Sequence, residues 1–142
     1  MTTRFFEDVE IGEEISVFER KTDFMNWNRF AAVNDEFVYV HMDDEAGKAA
    51  GQGGAFGMGN IRWTYLLNAL RAWSGDEAEI SEMSLQFRGI NHKNDVLTTY
   101  GKVTEKRSEG GKNLVVLAID VLNQHGEKTA PGRVVVSLPS RN

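Results

Sequence analysis

Asn60-Ile61-Arg62-Trp63-Thr64-Tyr65-Leu66-Leu67-Asn68-Ala69-Leu70-Arg71-Ala72-Trp73 is the stretch whose reading decides the fold. Its apolar residues fall on nearly every side of a helix, and a helix of that kind is expected to be buried all round. Gly75 follows where helices commonly stop. What could bury the helix comes next: residues 79–88, 96–105, 114–122 and 133–138 read as four strands. Ser108-Glu109-Gly110-Gly111-Lys112 and Asn123-Gln124-His125-Gly126-Glu127 supply turn chemistry between successive strands, so the pairing is expected to be an antiparallel meander. The run Leu114 to Ile119 is apolar on both faces, as a central strand covered on each side would be.

Upstream of the helix, Gly51-Gln52-Gly53-Gly54-Ala55-Phe56-Gly57-Met58-Gly59 is the glycine-richest segment. It lacks the Gly-Lys-Ser/Thr ending of a phosphate loop, and its glycines do not have dinucleotide-fingerprint spacing. Asp43 or Asp44 can cap a short helix through Ala50, with Gly51 to end it. Before that lies Asn34-Asp35-Glu36-Phe37-Val38-Tyr39-Val40-His41-Met42-Asp43-Asp44, which gathers acid and base groups across a turn or short extended run. A carboxylate and an imidazole held that way can share a water. From the residues alone, His41 reads first as a half-buried histidine satisfied by backbone, and Asp35 and Glu36 fit solvated groups past a helix end. Residues 22–34 predict that helix, with Thr22 as cap, Asp23 in the first turn, and Phe24, Trp27, Phe30 and Ala31 at helical spacing. Residues 14–21 alternate as a half-buried strand, and residues 5–13 form an arm expected to pack outside the sheet.

The whole chain sets limits on function. Its 142 residues, 41% hydrophobic and 26% charged, fit one domain spanning 1–142. No run approaches the roughly 18 apolar residues of a membrane span. Glu7, Asp8 and Glu10 do not read as a secretory signal, so the expected location is cytoplasmic and no membrane partner is expected. With no cysteine, thiolate catalysis, disulfides and thiolate metal sites are excluded. A net charge of −5 without a Lys/Arg cluster argues against a nucleic-acid partner, though not against a local basic patch for a small anion. His41, His92 and His125 lack metal-ligand spacing, so no metal site is expected.

Three stretches carry a resemblance. Phe6-Glu7-Asp8-Val9-Glu10-Ile11-Gly12-Glu13 looks like the opening of the MaoC-like dehydratase or (R)-specific enoyl-CoA hydratase family, and Leu85-Gln86-Phe87-Arg88-Gly89 with Asn94-Asp95-Val96-Leu97 looks like its strand, loop and strand. The third is Asp35 to Asp43, which resembles the hydratase motif Gly-Asp-x-Asn-Pro-x-His-x-Asp without a gap. His41 falls on the family's histidine and Glu36 on its aspartate. Val38-Tyr39 replaces the Asn-Pro pair, and a one-residue slip would make Asp35 the carboxylate instead.

The resemblance implies an α+β hot-dog fold, an antiparallel sheet wrapped around a long buried central helix. It implies reversible addition of water to the trans-2-enoyl thioester of an acyl-CoA, with no cofactor. His41 and Glu36, or Asp35, would be the catalytic pair. Phe56-Gly57-Met58 stands where the family has His-Gly-Met, so Gly57 would offer its N–H as oxyanion donor, although close helix packing is an equal reason for that glycine. Arg88, His92 and Lys93 could meet the phosphates of coenzyme A, or be solvated loop charges. A homodimer or heterodimer of hot-dog domains is implied. Two rival functions stay open: a non-catalytic subunit supporting an active partner, and an acyl-CoA thioesterase.

Overall fold

The computed structural model describes residues 3–15 and 17–141. Ser16, inside the expected strand 14–21, lies outside the described residues. Eight regular elements build the frame: β1 (Glu19–Lys21), α1 (Phe24–Asn34), α2 (Asp44–Ala49), α3 (Ile61–Ser74), β2 (Glu79–Leu85), β3 (Val96–Glu109), β4 (Lys112–Leu122) and β5 (Gly132–Leu138). All strand pairs are antiparallel, in the order β1-β3-β4-β5-β2.

The expected meander holds for β3, β4 and β5. The β3–β4 hairpin closes over Gly110 and Gly111, both at positive φ, which a two-residue turn of this twist requires. The first of the four strands departs from the expectation: β2 does not pair with β3 but crosses to the far side of β5. This places β2 and the short β1 at the two edges. The expected strand at 14–21 shrinks to β1 and a single bridge from Glu14 to Lys102.

α3 lies against β3 and β4 and ends at Gly75, φ 82, as expected. Its burial is one-sided rather than all round. Ile61, Arg62, Tyr65, Leu66, Ala69, Leu70 and Trp73 are buried, whereas Thr64, Leu67, Asn68, Arg71 and Ala72 are exposed. Three- and four-residue spacing sorts the helix into two faces, and only one meets the sheet. Opposite it, Val103, Val115, Leu117, Ile119, Val121, Val134 and Val136 complete the core.

β4 is buried on both faces as expected, with Val115 and Leu117 in that core and Val116 facing away yet 3% exposed. The N-terminal arm contacts β4, and Phe6 N–H donates to Pro139 O at 2.9 Å. Its Val9, however, is 2% exposed and belongs to the main core rather than merely to an outer layer. At α1, Asp23 and not Thr22 is the cap. The Asp23 carboxylate accepts from Asn26 N–H at 3.0 Å, while Thr22 is buried and bonds to His92 O and Asp95 O.

Candidate active site

α1 ends where Asp35 adopts φ 54, ψ 38 and both the Asp35 and Glu36 N–H groups donate to Ala31 O. Such a left-handed cap satisfies the last helical carbonyls and turns the chain outward. The chain then runs through Phe37 and Val38 into a 3-10 turn, Tyr39–His41, closed by His41 N–H to Val38 O at 3.0 Å. Asp43 caps α2 by accepting from Ala46 N–H at 2.8 Å.

The turn delivers His41 to the strand-like segment before α3. His41 Nδ1 lies 2.7 Å from Phe56 O, and the imidazole packs edge-on against the Phe56 ring, centroids 5.3 Å apart at 89°. A carbonyl oxygen only accepts, so Nδ1 carries the proton. In the neutral ring Nε2 is left with a free lone pair, the arrangement a general base needs. Phe56 is held in turn by its own N–H to Val40 O at 3.2 Å and by an antiparallel bridge to His92.

His41 opens onto a cavity of about 310 Å³ whose wall includes Phe56, Gly57, Arg62, Phe87, Arg88 and Ile90. Among the described residues no Asp or Glu borders it. Asp35 is exposed and Glu36 half-buried, and among the described residues neither bonds to the imidazole. The structure thus brings His41 and Gly57 to one cavity and leaves both carboxylates outside its wall.

Gly57 borders the His41 cavity and is closely packed. Its N–H donates to Asn91 O at 2.8 Å, so that amide is already spent on backbone. A Cβ at this position would stand 1.9 Å from Asn91 Nδ2 and 2.7 Å from Trp27 Nε1, closer than any side chain tolerates. The amides free at the start of α3 come next: Met58, Gly59 and Asn60 N–H have no acceptor among the described residues, and Gly59 borders the cavity.

The three basic residues expected to serve one ligand are divided. Arg88 borders the His41 cavity with its guanidinium bonded to Gln86 Oε1. His92 and Lys93 border a separate depression of about 440 Å³. There Lys93 Nζ is 2.8 Å from Asp44 Oδ2 and 4.5 Å from the centre of the Phe24 ring. That ammonium, together with the Ala55 N–H, holds the Asp44 carboxyl below its ordinary value.

Arg62 and Asn91 escaped the sequence reading. Arg62 is 3% exposed despite its charge, and Asn91 is 0% exposed with neither side-chain atom bonded. Arg62 carries a signal that could have found it: it stands three, four and seven residues before Tyr65, Leu66 and Ala69, in register with the buried face. A cleft of about 450 Å³ between α1 and α3, lined by Phe30, Val33, Ile61 and Tyr65 and by polar residues that include Arg20 and Arg29, was equally unforeseen. Burial there raises the Tyr65 hydroxyl to about 12.

No protein-family model matches the chain, and no curated protein does. Solved structures do. The R-hydratase PhaJ1 from Pseudomonas aeruginosa, in unliganded form, superposes with a TM-score of 0.87 at 21% identity, over 96% of this chain and 86% of that one. The MaoC-like dehydratase from Rhodospirillum rubrum gives 0.84 at 19%, over 98% and 99%. The ChsH1-ChsH2 complex from Mycobacterium tuberculosis gives 0.80 at 20%, over 91% and 98%. Among the described residues no helix is long and apolar enough to cross a membrane, and no group of His, Asp and Glu gathers as metal ligands would.

Proposed function

We propose, for a chain that has the hot-dog fold of R-hydratases and MaoC-like dehydratases, that it hydrates trans-2-enoyl thioesters of coenzyme A with His41 as the base. The observation that carries this reading is the bond from His41 Nδ1 to Phe56 O, which leaves Nε2 as an acceptor on a cavity at the start of the central helix. In the proposed step, Nε2 takes a proton from water as its oxygen attacks the β-carbon, and the imidazolium returns a proton to the α-carbon. Charge building on the thioester oxygen falls near the free Gly59 N–H and the positive end of the α3 dipole. Glu36, half-buried and close before the His41 turn, is the carboxylate we assign to orient the water. Asp35 is exposed and already explained as the left-handed cap of α1.

A second hot-dog domain, identical or different, is part of the proposal. The seven-residue β2 leaves one edge of the sheet unpaired, and Phe37, Tyr39, Phe87 and Ile90 are exposed around the site. The carboxylate-free wall of the cavity favours one rival reading, a subunit that supports an active partner and does no chemistry itself.

The test is turnover of crotonyl-CoA and longer enoyl-CoA substrates, followed at the enoyl absorbance. We expect activity in the wild type, a loss on the order of 100-fold or more in His41→Ala, a large loss in Glu36→Gln and a small one in Asp35→Asn. Unchanged turnover in His41→Ala sinks the hydratase reading. No turnover alone, but turnover restored by a co-purifying partner, establishes the supporting subunit instead. Light scattering that finds a monomer removes the second domain.

A further inference from the structure

Arg62 is a buried cation held by backbone carbonyls. Its guanidinium makes no ion pair among the described residues. Nη1 donates to Gly89 O at 2.6 Å and Thr129 O at 2.9 Å, Nε reaches Gly59 O at 3.4 Å, and the plane lies 4.8 Å over the Phe87 ring. Asp120 is the acid it feels electrostatically, without an ion pair between them: Asp120 Oδ1 accepts from Val121 and Ala130 N–H, and Oδ2 is buried without a partner among the described residues. Burial pulls the Arg62 guanidinium down to about 10, as expected of a cation short of compensating charge, and leaves it charged at neutral pH.

One part of the group stays open. Nη2 has no acceptor among the described residues, yet it is not among the buried polar atoms sealed without a partner. Arg62 borders the His41 cavity, a space into which Nη2 can open. Arg88 adds a second guanidinium at the wall, the rest is imidazole, aromatic ring, the Ile90 side chain and glycine, and among the described residues no acid borders it. An apolar-walled cavity with two cations and no anion favours a negatively charged guest, because a desolvated guanidinium gains most from a charge-assisted hydrogen bond.

We infer that the His41 cavity recognises a carboxylate, taken by Arg62 Nη2 inside and Arg88 nearer solvent, with the ligand's carbon skeleton against Phe87 and Ile90. This site stands as a binding site whether or not hydration follows. Joined to the hydration reading, on which this extension rests, it adds a preference for an acyl group that is itself acidic over a neutral one, distinct from any coenzyme A phosphate.

The experiment uses crotonate and crotonamide, which share a skeleton and differ in charge, on the full chain labelled at arginine and histidine. Crotonate is expected to shift the Arg62 Nε–H and His41 ring resonances saturably, and crotonamide to bind at least tenfold more weakly. Arg62→Met abolishes the shift at His41, Arg62→Lys keeps part of it, and Arg88→Gln weakens binding less than Arg62→Met. Arg62 also ties two carbonyls, so if Arg62→Met does not fold, the acid-to-amide comparison on the wild type decides. Equal binding of amide and acid, or crotonate shifts that bypass Arg62, overturns the inference. Turnover of a neutral enoyl-CoA without carboxylate binding would leave hydration standing and remove this site. Carboxylate binding without turnover would do the reverse.

Discussion

Replacing Gly57 by alanine separates the two reasons for a glycine at the head of α3. The added Cβ would lie 1.9 Å from Asn91 Nδ2, 2.8 Å from Asn91 Cγ and 2.7 Å from Trp27 Nε1. Ordinary contact starts near 3.4 Å, so the overlap with the Asn91 amide exceeds about 1 Å. Neither neighbour can swing into solvent, because Asn91 and Trp27 are both 0% exposed. The segment must shift, straining the Gly57 N–H to Asn91 O bond with it. Overpacking of this kind costs about 1–3 kcal/mol, which for a chain of this length lowers Tm by about 3–10 °C. Gly53→Ala is the control, since a Cβ there meets nothing within 4 Å and its backbone needs no positive φ. It is expected to leave Tm unchanged or slightly raised. Differential scanning calorimetry on both variants gives the answer. If Gly57→Ala melts with the wild type while turnover collapses, the packing account is wrong and the glycine is there for the ligand.

Three further outcomes follow from polar groups in the frame. Asp23→Ala removes the reciprocal cap of α1 and is expected to cost about 1 kcal/mol in urea unfolding, with Asp23→Ser costing less; equal stability of all three proteins would contradict it. Glu13→Ala takes the acceptor from Trp73 Nε1, 2.8 Å away, and the partner from Arg4, so it is expected to cost about 1–3 kcal/mol and to alter the near-ultraviolet tryptophan dichroism; an unchanged spectrum would refute that tie. Burial is the largest influence on Asp120 and pushes its carboxyl above the ordinary range, against the Ala130 and Val121 N–H bonds. The folded chain therefore holds this proton at pH values where the unfolded chain has lost it, and stability from the group falls as pH rises between those two values. Asp120→Asn removes that slope, so its urea midpoint should gain on the wild type as pH rises above the ordinary carboxylate value of about 4, and a constant gap would show the group to be uncoupled from folding.

The frame was legible where one element carries its own period. α3, the Gly110-Gly111 hairpin and β3 to β5 are set by local pattern, and their positions match to within a few residues. The placement of β2 was not, because nothing in Glu79–Leu85 tells which edge it will join. Strand order depends on contacts between segments far apart in sequence, and the run from α3 carries β2 to the edge beyond β5. The sidedness of α3 was obscured for a related reason. Leu67 and Ala72 are apolar by type but face outward, so composition overstated the burial that register determines.

The site divides along the same line. His41 was legible because a β-branched and aromatic surround marks a half-buried imidazole, and the structure gives that imidazole a fixed proton on Nδ1. Its chemical setting was not legible, since the cavity wall comes from segments near 41, 56–62 and 87–90 that only the fold assembles. The local motif suggests an acid beside the base, Glu36 or Asp35 next to His41. What the fold delivers to the cavity from elsewhere is a buried guanidinium on the central helix, held by two backbone carbonyls and open on one nitrogen. A carboxylate beside His41 would help to hold water, whereas a guanidinium there holds an anionic oxygen. If both readings apply, the negative group absent from the wall is carried by the ligand, and Glu36 must approach the water from the chain just before the His41 turn. That requirement makes Glu36→Gln more informative than any change within the cavity: it alone asks whether an acid outside the wall takes part in the chemistry.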